Sequence, residues 1–303
     1  MKSGPFENTS PIAKLFILGI LIIVSGLIFS ALGLLLSSVL WGESGIQTAL
    51  DLVGNKNIDA LKLLQIMQSI GIFILPAIAA AYLFSPNPWK FLGFNRTKGV
   101  IIGKTFIIVL VSLPAINLLA SINELFPLSQ WMIDMEEKAE QLTKAFLVTN
   151  SFGAFMVNIL MVAILPAIGE ELVFRGILQR GLIKITKSEW FGIILAAALF
   201  SFIHFQFKGF IPRFALGVAF GYLLEVTGSL WVPIAAHFFN NAIATTGYML
   251  MGVGVADEKI EDFGGLDQIW TLGVASLVIV IVLLISIKRE QNQNGRVLDI
   301  GNN

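Results

Sequence analysis

Most of this chain consists of apolar stretches that are longer than a soluble core requires. A helix needs about 20 predominantly apolar residues to cross roughly 30 Å of hydrocarbon. Because lipid cannot satisfy open backbone groups, a helical bundle is the natural structure for several such stretches. The sequence therefore predicts an all-α fold, a polytopic membrane helical bundle of about eight transmembrane helices, over residues 12–40, 60–84, 99–123, 148–178, 190–207, 211–226, 229–250 and 268–287.

Composition limits the partners and the chemistry of the chain. Hydrophobic residues make up 56% and charged residues 13% of it, and the mean hydropathy is +0.82. The charges of twenty basic and twenty acidic residues cancel, so no net electric field of the protein attracts nucleic acid, and we expect no nucleic-acid partner. The expected surroundings of the chain are the lipid bilayer. The absence of cysteine excludes a thiol nucleophile and leaves only nitrogen and oxygen atoms as ligands for a metal.

The charges between the apolar stretches predict the orientation of the bundle. Short cytoplasmic loops are enriched in Lys and Arg, and three basic segments fall on one side of the eight-span arrangement. The acidic segments 134–140 and 257–267 fall on the other side. Two basic residues on that side, Lys208 and Arg213, are exceptions to the rule. We expect both termini to be cytoplasmic, in a bacterial or archaeal cytoplasmic membrane. The three basic segments are the loop 85–104, the turn 175–190 and the start of the tail at 288–289.

The sequence indicates one integral membrane domain over residues 1–303, with two peripheral features. Residues 128–146 combine apolar side chains at helical spacing with acidic ones, which predicts an amphipathic interfacial helix. We interpret it as a connector on the membrane surface, with a substrate gate as the alternative. Residues 290–303 form a polar tail too short to fold alone.

Three of the predicted spans bring polar side chains to one depth. Glu170 lies seventeen residues before Lys187 and His204 seventeen after it, so the two arms of this hairpin have equal length. His237 lies eight residues after Ser229, the start of the seventh predicted span, and His204 and His237 are the only histidines in the chain. Carboxylate and imidazole groups inside a membrane are costly and usually functional. The depths therefore predict a shared site.

Spacing on the helix separates the two adjacent glutamates. Glu171 and Arg175 are four residues apart and can pair on one face. Glu170 is rotated by about 100° from Glu171 and is free to face another group. Asn241 follows His237 by one turn on the same helical face.

Two further patterns predict helix packing. Gly217-x-x-x-Gly221 suits a close approach of two helices. Pro166, one turn before Glu170, predicts a kink and a freed carbonyl near the site.

The side chains at this depth could activate water in two ways. A buried carboxylate beside an imidazole can act as a general base, while a second imidazole and an amide donate to a developing oxyanion. The same glutamate and two histidines are also the ligand set of a catalytic zinc site with an open position for water. The sequence therefore leaves two possibilities open: the site uses zinc or another divalent metal as a cofactor, or it uses no cofactor. The metal ligands in the first case would be Glu170, His204 and His237.

The motifs themselves resemble those of a known family. Glu170-Glu171-x-x-x-Arg175, Phe200-x-x-x-His204 and His237-x-x-x-Asn241 follow in the order of the three signature motifs of the CPBP (ABI) intramembrane proteases, which include the type II CAAX prenyl endopeptidases. The resemblance covers residues 148–250, which would form the catalytic core. It implies that Glu170 and His204 activate water and that His237 and Asn241 stabilise the oxyanion. Supporting roles would fall to Glu171, Arg175 and Phe200. The family has been described both as metalloproteases and as glutamate-type proteases.

The sequence as a whole therefore predicts an intramembrane endopeptidase. The expected substrate is a membrane-associated protein or peptide, with prenylated proteins as one class that the resemblance implies. The predicted cavity is water-filled and opens toward the cytoplasm. A proton- or ion-coupled transporter is the alternative from another class, because buried Glu, His and Asn side chains also form ion relays. A catalytically idle membrane scaffold or immunity protein is the third interpretation.

Overall fold

The fold is described by a computed structural model that covers residues 4–50, 57–256, 265–266 and 269–300. Within these residues the chain forms eleven helices and no strand, so the predicted all-α class is confirmed. The helices are α1 Pro11–Trp41, α2 Glu43–Leu50, α3 Ile58–Phe84, α4 Pro88–Leu92, α5 Gly99–Glu124, α6 Gln130–Leu147, α7 Phe152–Thr186, α8 Glu189–Phe202, α9 Phe210–Thr227, α10 Trp231–Gly252 and α11 Trp270–Ile300.

Each predicted span coincides with one of these helices, and the protein is a polytopic membrane bundle. Six helices are long and apolar enough to cross a membrane: α1, α3, α5, α7, α9 and α11. The predicted count of eight is approximate, because α8 is a shorter apolar helix and α10 carries the polar residues of the site. The predicted fifth span, 190–207, is too long: α8 ends at Phe202, and a turn follows.

Because the helices alternate in direction, the bundle has two distinguishable ends. We call the end with the loop 85–98 and the turn at Lys187 the basic face, and the opposite end the α6 face. Tryptophans occur at both levels, which is the pattern of side chains that anchor a protein at the two membrane–water interfaces. Trp89, Trp190 and Trp231 lie near the basic face, and Trp41, Trp131 and Trp270 lie near the α6 face.

Two parallel helices share a pentapeptide and a local distortion. Ile-Leu-Pro-Ala-Ile occurs at 74–78 in α3 and at 164–168 in α7. A π-helical turn precedes each copy, over Ile70–Ile74 and Ile159–Ile164. The two helices pack directly against each other here, since a Cβ atom at Gly169 would lie 2.8 Å from Cβ of Phe73. This contact supports the backbone of α7 next to Glu170.

Helices α7 and α9 are joined by a short ladder of buried polar contacts. Nη2 of Arg175 donates to the carbonyl of Gly217 at 3.1 Å, and Nε2 of Gln179 donates to the carbonyl of Gly221 at 3.1 Å. A Cβ atom at Gly221 would lie 2.5 Å from Oε1 of Gln179, and one at Gly217 would lie 2.9 Å from Cβ of Ala197. The close approach predicted from Gly217-x-x-x-Gly221 is therefore confirmed.

The two peripheral features differ in outcome. A helix occupies Gln130–Leu147, close to the predicted 128–146, while its position on the membrane surface stays a prediction. The predicted polar tail is helical as far as it is described, because α11 continues to Ile300. Of the acidic segment 257–267, only 265–266 lie within the described residues.

Candidate active site

The glutamate and both histidines of the motifs meet at one point. Oε2 of Glu170 lies 4.0 Å from Nε2 of His204 and 3.9 Å from Nε2 of His237. Three elements supply these groups: the middle of α7, the turn after α8 and the first half of α10. The side chains for which the sequence predicted one shared depth therefore form a cluster in the structure.

Hydrogen bonds fix which ring nitrogen each histidine presents. Nδ1 of His204 lies 2.8 Å from the carbonyl oxygen of Phe200, and a carbonyl oxygen can only accept, so Nδ1 carries the proton. Nδ1 of His237 likewise donates to Oε1 of Glu171 at 2.9 Å. In the neutral form both rings therefore direct an Nε2 lone pair toward Glu170.

The predicted pair of Glu171 and Arg175 is present and buried. Nη1 of Arg175 donates to Oε1 of Glu171 at 2.8 Å, and the side chains are 1% and 0% exposed. The same carboxylate oxygen accepts from His237, so it links the guanidinium to the imidazole of this residue. Oε2 of Glu171 has no hydrogen-bond partner among the described residues. The pair therefore orients His237 and does not line the cavity beside the cluster.

Aromatic rings enclose the two histidines on the apolar side. Phe200 contacts both imidazole rings edge-on, with centroids 5.1 Å from His204 and 5.9 Å from His237. Arg175 lies over the same phenyl ring at 4.5 Å. Phe200 thus packs beside the site, as the resemblance implied.

The sequence did not single out Phe220, which stacks on His237 at a centroid distance of 5.5 Å and an interplanar angle of 29°. Its position directly before Gly221 was the available signal. The glycine brings α9 close enough to α7 and α8 for the phenyl ring to reach the imidazole. This ring restricts the rotation of His237.

The amide of Asn241 binds to the backbone of α7. Its Nδ2 donates to the carbonyl oxygen of Val162 at 2.9 Å, the carbonyl four residues before Pro166. Proline has no N–H to offer to that oxygen, so the predicted freed carbonyl is confirmed. An amide nitrogen has two N–H groups, and the second one of Asn241 is available to a ligand. Oδ1 of Asn241 accepts from Asn240 at 3.1 Å, which fixes the orientation of the amide.

A cavity of about 400 Å³ adjoins the cluster. Its wall contains Glu170, His204, His237 and Asn241, and also Gln206 from the turn after α8 and Arg213 from the first turn of α9. Nη2 of Arg213 donates to Oε1 of Gln206 at 2.7 Å, which holds this cation at the wall. The cavity is therefore polar on one side and apolar on the other.

The cavity lies on the α6 side of the cluster, so the predicted cytoplasmic opening and the predicted cytoplasmic position of the basic loops do not both hold. Its other wall residues include Gln65 and Ile116, from the halves of α3 and α5 nearer the α6 face, and Leu147 at the end of α6. The reason is the length of α8: 14 residues span about 21 Å, less than the roughly 30 Å of hydrocarbon. The turn with His204 is therefore recessed beneath the α6 face.

Helix α6 covers this recessed turn. Oε1 of Glu136 accepts from the backbone N–H of Lys208 at 2.8 Å, and the rings of Trp131 and Phe207 meet edge-on at 5.2 Å. From α5, Asn123 donates to the carbonyl of Phe207 at 2.9 Å. These contacts fix the loop that positions His204.

The spacing of the three acceptor atoms suits a water molecule. Hydrogen bonds to water oxygen are about 2.8 Å long, so one water can contact two atoms that lie about 4 Å apart. Oε2 of Glu170 is 3.9 and 4.0 Å from the two imidazole nitrogens. The cluster can therefore hold water between the carboxylate and an imidazole.

The same spacing is too wide for zinc. With bonds of about 2.0–2.2 Å, adjacent ligands of a tetrahedral zinc ion lie about 3.4 Å apart, whereas the distances here are 3.9 and 4.0 Å. No group of three or more acidic or histidine side chains in the described part of the chain is arranged to hold a metal ion. The ligand set Glu170, His204 and His237 does not fit zinc in this arrangement.

Fold and site together define a class: a polytopic helical membrane protein with a buried Glu–His–His cluster beside a polar cavity. Residues 152–243 match the family described as type II CAAX prenyl endopeptidase Rce1-like. This match confirms, over that segment, the resemblance found in the motifs. The segment extends from α7 into α10 and contains Glu170, His204, His237 and Asn241.

Two proteins of Bacillus subtilis (strain 168) are similar to parts of the chain. "Uncharacterized protein YpbD" is 32% identical over 90 residues, 28% of this chain and 43% of that protein. "Putative membrane peptidase YdiL" is 32% identical over 83 residues, 27% of this chain and 34% of that protein. The chain thus covers less than half the length of these curated relatives. No solved structure matches it. These likenesses support a family of membrane peptidases.

Proposed function

We propose that the protein is an intramembrane endopeptidase that hydrolyses a peptide bond by activating water at Glu170. The observation that carries the proposal is the convergence of the Glu170 carboxylate with Nε2 of both histidines, at 3.9 and 4.0 Å, on the wall of a polar cavity. The family match over residues 152–243 supports peptide hydrolysis as the reaction.

In the proposed first step, Glu170 takes one proton from the bound water while Nε2 of His204 accepts a hydrogen bond from the other O–H group. The carboxylate and the Nε2 lone pair both accept O–H groups, which leaves an oxygen lone pair to attack the scissile carbonyl. Phe200 fixes the ring of His204 through its carbonyl, and this bond keeps Nε2 directed at the water. The proton held on Glu170 then passes to the leaving amine.

The oxyanion that forms needs hydrogen-bond donors on the other side of the carbonyl. In this proposal His237 is already an imidazolium before the attack, because Nδ1 is bound to Glu171 and Nε2 can donate only when it also carries a proton. The Glu171 carboxylate stabilises that imidazolium. The second N–H of Asn241 is the other donor, one helical turn away.

The proposed substrate is a membrane-associated protein or peptide. The cavity reaches the α6 face beneath α6, so a scissile segment would enter from that interface. Prenylated proteins are the substrates that the family's description names, and we include them as one class to be tested.

The test is cleavage of membrane-anchored and prenylated reporter peptides by the purified protein in detergent. Glu170→Gln keeps the shape of the side chain and removes the base, so cleavage should fall by at least about 100-fold. Glu189→Gln is the matched control, because Glu189 is an exposed carboxylate at the start of α8, and it should cleave like the wild type. Equal rates for the wild type and Glu170→Gln would refute a role for Glu170 as base.

A chelator separates the two forms of water activation. We expect cleavage to persist in excess chelator, since the acceptor atoms are too far apart for a tetrahedral zinc ion. Loss of cleavage that added zinc restores would replace the metal-free mechanism by a metal-dependent one. Complete absence of cleavage across the peptide library would favour the transporter or scaffold interpretation.

A further inference from the structure

A second cavity, of about 530 Å³, lies at the basic face, away from the proposed active site. It is formed where the start of α1, the short helix α4 and the last turns of α7 meet. Four of its lining residues are cations: Lys14, Lys90, Arg180 and Lys184. None of them belongs to the catalytic motifs. The mechanism proposed above makes no use of this cavity.

The charge of this basic cavity is strongly one-sided. Four cations face one acidic residue, Glu225, whose Oε1 already accepts from Nε2 of Gln179 at 2.9 Å. The first turn of α1 also contributes Pro11 to the lining, and the positive end of a helix dipole favours an anion. An anion is therefore the ligand that these charges fit.

Specific contacts hold two of the four cations, Arg180 and Lys14, in the wall of the cavity. Nη1 of Arg180 donates to the carbonyl of Phe91 at 2.5 Å, which leaves other N–H groups of the guanidinium for a ligand. Gly93 lets this side chain pass, since a Cβ atom there would lie 2.3 Å from Nη2 of Arg180. Nζ of Lys14 donates to the carbonyl of Glu7 at 2.7 Å.

Neighbouring loops tie the rim of the cavity together. Nδ2 of Asn95 donates to the carbonyl of Gly228 at 2.7 Å, and Oγ of Ser229 donates to the carbonyl of Asn95 at 2.6 Å. On the opposite wall α1 approaches α7 closely, because a Cβ atom at Gly181 would lie 2.8 Å from Cδ2 of Leu15. The basic cavity is therefore a preformed site.

Two features of the basic cavity indicate which kind of molecule carries the anion: its level in the membrane and its mixture of charged and apolar lining residues. Exposed Trp89 and Trp231 mark the membrane–water interface at this face. The lining alternates cations with apolar side chains such as Leu15, Ile177 and Leu224. Basic pockets between transmembrane helices at this depth bind the phosphate groups of anionic lipids.

We propose that the basic cavity binds a phosphate group, presented by the headgroup of an anionic phospholipid. Arg180 and Lys14 hold the phosphate from inside, while Lys90 and Lys184 close over it from the exposed rim. The bound lipid would fasten the start of α1 to α7. This site is independent of the peptidase proposal, because its ligand, its residues and its readout are all different.

The experiment measures lipid binding to the purified full-length protein by native mass spectrometry. Dioctanoyl phosphatidylglycerol and dioctanoyl phosphatidylcholine are titrated separately into the wild type, and the thermal shift with inorganic phosphate is measured in parallel. We expect preferential binding of phosphatidylglycerol. In the double variant Lys90→Gln/Lys184→Gln its affinity should fall by about 25-fold, since each cation near an anionic lipid contributes about fivefold.

The matched control is Arg96→Gln/Lys98→Gln, which removes two exposed cations from the same face without touching the cavity. It should retain the affinity of the wild type. Equal binding of the two lipids, or an equal loss in both double variants, would overturn the proposal. A lysine-dependent shift with inorganic phosphate and none with phosphatidylglycerol would overturn the lipid as its source.

Discussion

Replacing Glu171 by Met separates the structural role of the buried ion pair from its role at the site. Glu171 accepts from Nη1 of Arg175 at 2.8 Å and from Nδ1 of His237 at 2.9 Å with one oxygen. Its side chain is fully buried. The substitution preserves the volume and leaves the Arg175 guanidinium in an apolar interior without its counter-ion.

The expected cost follows from that burial. Removing one partner of a buried ion pair destabilises a protein by about 3–5 kcal/mol. Arg175 would keep its bond to the carbonyl of Gly217 and its position 4.5 Å from the ring of Phe200, and a cation–π contact contributes about 0.5–2 kcal/mol. Since these contacts exist in the wild type as well, they do not reduce the loss.

Replacing both members should restore much of the stability. In Glu171→Met/Arg175→Met neither member of the pair is left as an unpaired buried charge, and the lost hydrogen bond to Gly217 costs about 1 kcal/mol. We expect the double variant to be more stable than Glu171→Met by on the order of 2 kcal/mol. Cleavage should stay lost in both variants, because Nδ1 of His237 has no acceptor in either.

The assay is the free energy of unfolding of the four proteins of this cycle in bicelles, with cleavage measured on the same samples. A loss below about 1 kcal/mol for Glu171→Met would contradict an obligatory buried pair. Additive losses in the double variant would mean that the two side chains do not stabilise each other. Recovery of cleavage in the double variant would refute the orientation of His237 by Glu171.

Three further changes probe the packing around the site. Asn241→Leu should destabilise the protein by about 1–3 kcal/mol, because it leaves the carbonyl of Val162 without this donor. It should also reduce cleavage. Unfolding measurements and the variant Asn241→Gln separate the loss of stability from the loss of cleavage. Gly217→Ala should lower the free energy of unfolding by about 1–3 kcal/mol, because the new Cβ overpacks against Ala197. The control Gly247→Ala has open space around its Cβ and should be neutral or stabilising. Equal losses of stability in the two variants would contradict the packing argument. Glu136→Ala should lower cleavage several-fold, because it releases the backbone of Lys208 from α6. Glu136→Gln keeps an acceptor oxygen and should keep the activity. Unchanged cleavage in Glu136→Ala would show that this contact does not position His204.

Local sequence was sufficient for features that depend on one helix at a time. The i,i+4 spacing of Glu171 and Arg175 correctly predicted their ion pair, and Pro166 correctly predicted the free carbonyl at Val162. Counting residues from Lys187 placed Glu170 and His204 at one depth, and their atoms lie 4.0 Å apart. Such predictions succeed because rise and rotation per residue are nearly constant in helices.

Contacts between helices lay beyond the reach of those patterns. Nothing in the sequence indicated that Phe220 stacks on His237, or that one oxygen of Glu171 serves both Arg175 and His237. The basic cavity was also missed, because its cations come from α1, α4 and α7. The predicted span 190–207 did not indicate on which side of the Glu–His–His cluster the cavity lies, since that depends on α8 ending at Phe202 rather than near 207.

Hydropathy and helical periodicity are local properties, and they were enough to predict a polytopic helical membrane protein with Glu, His and Asn side chains at one depth. Three properties became visible only in the folded bundle: which nitrogen of each histidine faces Glu170, which face of the bundle the cavity approaches, and where the cations gather. Those properties depend on how helices distant in the chain are rotated and packed, and close packing of side chains between neighbours, not periodicity within one helix, sets that rotation.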